Sequence, residues 1–147
     1  MDEASLTEQV QTVVDEYELI VGKLAIEGKR VIELGCGDGR MAKRLAEQAN
    51  AGNVLALEVD EARLRRLQQP ASSSGYPPNV KYEYGQAQKM AASDGSFDSA
   101  LMLKSLHHVP INGMDKALLE IERVLHPEGV LYVSEPISDG PLSEVMR

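Results

Sequence analysis

Hydrophobic residues recur at spacings of three and four from Leu6 through Val10, Val13, Val14, Tyr17, Ile20 and Val21 to Leu24. That period puts them on one face and predicts a helix over 6–26. Val31 to Leu34 is a short apolar run that stops at glycine, the pattern of a buried strand. Met41, Leu45 and Ala49 then step by four and predict a helix over 40–49. A second strand is expected over 54–59, and a helix over 61–69 with Asp60 as its N-cap. Residues 70–79 (PASSSGYPPN) read as a polar connection. A strand is expected over 80–84, a short helix over 86–92 and a central apolar strand over 97–103. After a loop at 104–112, an amphipathic helix is expected over 115–125. Pro127-Glu128-Gly129 should end it, and a fifth strand follows over 130–134.

Alternating strands and helices, with strands apolar throughout, predict an α/β fold: a doubly wound, mainly parallel open sheet with helices on both faces. Three units are expected: an N-terminal helical segment at 1–27, a core at 28–136, and a further helix or truncated tail at 137–147. In open α/β sheets, ligands bind beyond the carboxyl ends of the strands. That rule selects the loops 35–39, 58–60, 85–88 and 104–112.

Composition narrows the classes further. The chain has 147 residues, enough for one domain with its own core. A net charge of −8 argues against a duplex nucleic acid partner, whose phosphates want a basic face. The single cysteine, Cys36, excludes an intramolecular disulfide and a cysteine-based zinc site, and makes the reducing cytoplasm the expected compartment. No metal-ligand cluster is evident. No apolar run approaches the ~20 residues of a membrane span, and the N-terminus lacks the pattern of a signal peptide.

The strongest local signal is Glu33-Leu34-Gly35-Cys36-Gly37-Asp38-Gly39, between a strand and a helix. A dinucleotide fingerprint, G-x-G-x-x-G/A, requires Gly or Ala at position 40; Arg40 stands there, and the third glycine comes one step early. This loop suits a pyrophosphate poorly, which argues against a nicotinamide-dependent oxidoreductase. It suits a small ligand with amino and carboxylate ends.

With that loop the chain resembles the class I S-adenosylmethionine (SAM)-dependent methyltransferases, in their broad small-domain group. The resemblance covers about residues 28–136. It rests on the glycine loop, Glu58 after the second strand, Gly95-Ser96-Phe97-Asp98 before the fourth, Leu106-His107-His108-Val109 after it, and Glu122-Arg123-Val124-Leu125-His126-Pro127 before the fifth. It implies SAM as cofactor and a small molecule as methyl acceptor.

Residue roles follow by resemblance. Gly35 and Gly37, with Glu33 behind them and Cys36 as a small filler, would hold the methionine part of SAM. Glu58 would accept both ribose hydroxyls, with Asp60 as the competing carboxylate. Gln86 and Ala87 would meet the adenine; relatives usually carry Asp at the position of Gln86, so a charge is lost there. Lys104 would sit near the sulfonium, or pack its stem and send its ammonium to solvent. His107 and His108 would border the acceptor as a general base, or pack and cap their loop. Tyr17 would close over the cofactor or pack in the core. Glu128 replaces a usual glycine as a surface detail.

Relatives in this group continue past the fifth strand, so strands six and seven are expected to be absent here and residues 130–133 to form a sheet edge. Such an edge is a template for pairing with another chain, which would make a homodimer. Two functions remain: methyl transfer to a small molecule, or a non-catalytic SAM-binding domain that regulates or scaffolds.

Overall fold

The computed structural model describes residues 15–69 and 77–135. The first part of the expected N-terminal helix, most of the 70–79 connection and the expected C-terminal helix or tail lie outside the described residues.

The elements are α1 (Glu16–Lys23), β1 (Arg30–Leu34), α2 (Arg40–Gln48), β2 (Asn53–Glu58), α3 (Glu61–Leu67), β3 (Val80–Tyr84), β4 (Phe97–Leu103), α4 (Met114–Val124) and β5 (Leu125–Ser134). Among the described residues the strands form one sheet in the order β3-β2-β1-β4-β5. Every neighbouring pair is parallel. The order reverses beside β1, so the ends of β1, β2 and β4 open onto one crevice, the position where such sheets bind ligands.

Alternate residues of β1 divide the core. Val31 packs with Ile20, Leu45 and Leu101 on the face covered by α1 and α2. Ile32 and Leu34 pack with Met102, Ile121 and Val124 on the face covered by α4. β1 and β4 are buried along nearly their whole length, which is why their sequences are continuous apolar runs rather than alternating ones. At the amino end of these strands, Asp98 accepts from the Arg30 backbone N–H at 2.8 Å and from its guanidinium at 3.0 and 3.2 Å. At the outer edge, the Tyr132 hydroxyl donates to Glu16 at 2.7 Å and fastens α1 to β5.

Two expectations are corrected. Residues 86–92 form a tight turn with a Gln86–Lys89 bridge, not a helix. Their backbone groups are satisfied from outside: Glu120 accepts the Met90 N–H at 2.7 Å, and Arg123 donates to the Met90 carbonyl at 3.0 Å. No helical ladder is then needed. β5 begins at Leu125, directly after α4, because Leu125 pairs with Phe97 before a register shift between Phe97 and Ser99. Pro127 is tolerated because β5 is an edge strand at a bulge. Glu128 is exposed, while Gly129 occupies the tight place: a Cβ there would lie 2.8 Å from the His126 carbonyl oxygen.

Candidate functional site

The turn after β1 is built from three glycines with positive φ and different duties: Gly35 (75°), Gly37 (58°) and Gly39 (74°). A Cβ on Gly35 would meet the Ser105 Cβ at 2.8 Å, so this glycine lets the loop after β4 close against β1. Ser105 completes that contact by donating to the Leu34 carbonyl at 2.8 Å. A Cβ on Gly39 would meet Leu67 and Tyr82 at 2.7 and 2.8 Å; the early third glycine is therefore a packing residue. Gly37 alone of the three has no atom within 4 Å of its missing Cβ. Its open side borders a cavity of about 780 Å³ at the carboxyl ends of the strands.

Glu58, at the end of β2, is buried yet lines this cavity. Its Oε1 accepts the Gly37 N–H at 2.8 Å, and its Oε2 accepts the N–H groups of Val59 at 3.0 Å and Asp60 at 2.8 Å. A carboxylate offers roughly four lone-pair positions. Three are used, and the fourth belongs to Oε1. Asp60 does the work expected of an N-cap, accepting from the Arg63 N–H at 3.0 Å, which pulls its carboxyl below the usual range.

Glu33 lies behind the turn, buried, and its Oε1 has no hydrogen-bond partner among the described residues. Burial pushes its carboxyl up to about 8, with the nearby Asp38 and Glu58 adding to the rise. Burial likewise pushes the Cys36 thiol up to about 12, so it is held as an inert, packed thiol.

The far wall comes from the segments after β3 and β4. Gln86, Ala87, Lys104 and His108 all line the same cavity as Gly35, Gly37 and Glu58. The Gln86 amide donates to the Tyr84 hydroxyl at 3.3 Å. Lys104 takes a left-handed backbone (φ 57°) and donates its N–H to the Ser134 carbonyl at 2.6 Å. His107 is not among the lining residues, but its ring centroid lies 4.0 Å from that of His108. Tyr17 is part of the core, with the Arg44 guanidinium 4.1 Å above its ring, so core packing is the reading that holds.

Glu135 is the residue that sequence reasoning missed. It follows β5 and reaches back to His107, accepting its backbone N–H at 3.1 Å and lying 2.5 Å from Nδ1. The rule that selects loops at the carboxyl ends of strands covers the end of β5 equally and would have found it.

A family model described as a methyltransferase domain matches residues 31–129, and the chain belongs to that family. It is 30% identical over 135 residues to the 27-O-demethylrifamycin SV methyltransferase of Amycolatopsis mediterranei, covering 91% of this chain and 48% of that protein. It is 30% identical over 119 residues to the fatty-acid O-methyltransferase of Mycolicibacterium smegmatis, covering 81% and 41%. Among solved structures, the [4+2]-cyclase SpnF aligns with a TM-score of 0.71 at 28% identity, covering 81% of this chain and 43% of that one. An S-adenosylmethionine-dependent methyltransferase from Mesorhizobium loti aligns at 0.63 with 27% identity, covering 74% and 48%. The chain spans 41–48% of the length of these proteins.

Proposed function

We propose that this chain binds S-adenosylmethionine in the cavity beyond β1, β2 and β4 and carries out methyl transfer to a small molecule. The observation that carries the reading is a single cavity lined by Gly37, Glu58 and Gln86 on one side and by Lys104 and His108 on the other. The residues suit the cofactor. Gly37 leaves room for close approach of a ligand, and the free lone-pair position on Glu58 Oε1 matches a ribose hydroxyl. A second hydroxyl would have to exchange with an N–H already held by Oε2. The Gln86 carbonyl oxygen can accept from an adenine amino group. The acidic surroundings of Glu33 suit the positive charges of the methionine part.

Bound SAM supplies a methyl group already activated by the sulfonium. The chain's own task is alignment, which is worth roughly 7–11 kcal/mol when reacting atoms are held at near-attack distance. His108, which lines the cavity, and His107, whose ring stands against it, are the base candidates. A cytoplasmic location remains part of the proposal, supported by the single cysteine.

The same proposal extends to the sheet edge. On β5, Val130 and Val133 are 45% and 40% exposed, which supports self-association through that strand. The second reading, SAM binding without methyl transfer, draws support from the likeness to a protein named as a cyclase. Incubation with methyl-labelled SAM and a metabolite extract separates the two. Methyl transfer gives a labelled small molecule; binding alone gives none.

A further inference from the structure

Among the described residues, Lys104 is the only one other than glycine and asparagine with a left-handed backbone, φ 57°. That region is costly for most side chains and tolerable for glycine or asparagine. The neighbours impose it. The Lys104 N–H donates to the Ser134 carbonyl at 2.6 Å, which ties the end of β4 to the end of β5. The next residue, Ser105, donates its hydroxyl to the Leu34 carbonyl at 2.8 Å, and its Cβ would lie 2.8 Å from any Cβ on Gly35. Clamped on both sides, the chain holds residue 104 in a conformation that suits glycine, yet the residue is lysine. A strained backbone that its surroundings over-determine points to a side chain in use.

The charges around the cavity narrow that use. Its lining carboxylates, Glu58 and Asp60, both stand at the β2 end. Glu58 is occupied by three backbone N–H groups, and Asp60 caps α3. The wall after β4, from Lys104 to Pro110, contributes no carboxylate. Glu135 follows Ser134 but is held by His107. Lys104 is exposed, and its ammonium forms no ion pair among the described residues. With SAM bound, this ammonium shares the cavity with a sulfonium. Like charges in one cavity repel, and negative charge from a third group offsets the repulsion. The wall after β4 brings none, so the acceptor is the group left to supply it.

We propose that Lys104 selects an acceptor carrying an anionic group, a carboxylate or a phosphate, as a handle separate from the atom that receives the methyl group. This rests on the reading of the cavity as a methyl-transfer site. An ammonium is a compact charge with three donors, and it suits either oxyanion. The handle is not itself methylated. Its oxygen lone pairs are engaged by the ammonium, and a methyl group there would erase the charge that holds the acceptor. The product therefore leaves with its anionic group intact.

A metabolite extract passed over anion-exchange resin at neutral pH gives a retained and an unretained fraction, and each is offered with methyl-labelled SAM. Label is expected only with the retained fraction, in a product that the resin still retains. Phosphatase treatment of that fraction beforehand distinguishes the two handles: it abolishes labelling of a phosphate-bearing acceptor and spares that of a carboxylate-bearing one. Lys104→Asn removes the charge and suits the left-handed backbone. It should raise the amount of retained fraction needed for half-maximal labelling by about tenfold or more, the order of a lost hydrogen bond to a charged group. Lys104→Arg should stay nearer the wild type. Lys104→Gly should melt no lower than the wild type, because the side chain does not hold the fold. Four results overturn the proposal and leave methyl transfer standing: label from the unretained fraction, a labelled product that the resin lets pass, an unchanged half-maximal amount in Lys104→Asn, or a lower melting temperature in Lys104→Gly. If the wild type binds no S-adenosylhomocysteine by calorimetry, or neither fraction is labelled, the reading of the cavity as a methyl-transfer site fails and the proposal with it.

Discussion

The carboxylate of Glu58 holds the Gly37 N–H at 2.8 Å, so the end of β2 fixes the glycine turn after β1. One side chain thereby orders the turn and faces the cavity. Its two neighbours on Oε2, Val59 and Asp60, lock the carboxylate in place before any ligand arrives. Such preorganisation reduces the ordering cost of binding.

Replacing Glu58 should consequently affect both affinity and fold. Glu58→Ala removes a charged acceptor and strands three N–H groups. We expect cofactor affinity to fall by at least ~1 kcal/mol, the order of a hydrogen bond to a charged group. Asp60→Ala should lower the melting temperature through loss of the α3 cap and leave affinity unchanged. Calorimetry and thermal melts on both variants check the pair; the reverse pattern would assign the ligand contact to Asp60.

The three glycines should separate in the same way. Gly39→Ala drives a Cβ into Leu67 and Tyr82 and should destabilise the fold strongly. Gly37→Ala meets nothing and should cost about 1 kcal/mol for its left-handed backbone, while reducing cofactor affinity. Denaturant titration beside binding measurements would show it. Equal stability loss in the two variants would contradict the division of labour.

Glu33 makes stability depend on pH. Its folded value of about 8 lies above its ordinary 4.5, so between them the folded protein keeps a proton that the unfolded chain has released. Stability contributed by this group is therefore full below about 4.5 and is lost as pH rises through about 8. Urea unfolding from pH 5 to pH 9 should show this decline, and Glu33→Gln should flatten it. A wild-type stability that rises across that window would contradict the assignment.

Self-association through β5 should appear in light scattering as a mass that grows with concentration. A charge on the exposed edge, Val133→Lys, should return it to one chain's mass. A wild-type protein that is monomeric at every concentration removes this part of the proposal.

How much of this was legible in the sequence depends on where the determining contact lies. β1, α2, β2, α3, β3 and β4 follow from local period and turn residues, and Asp60 announces its own cap. The turn at 86–92 could not be read locally, because Glu120 and Arg123, some 30 residues away, satisfy its backbone. The start of β5 was hidden by Pro127, whose helix- and strand-breaking character is overridden at an edge bulge. Glu58, Gln86, Lys104 and His108 lie in loops that the carboxyl-end rule selects, took their expected roles from the family resemblance, and do share one cavity. The packing duty of Gly39 could not be read locally, because Tyr82, which packs on it, lies far along the chain. Glu135 was overlooked because its partner is His107, brought near only by the β4–β5 register.

The most direct test of the central claim is isothermal calorimetry of S-adenosylhomocysteine against the wild-type protein and Glu58→Ala. The account predicts saturable binding at one site per chain, weakened by the substitution while the variant remains folded by circular dichroism. Absence of binding to the wild type, or equal affinity in a folded Glu58→Ala, would contradict it.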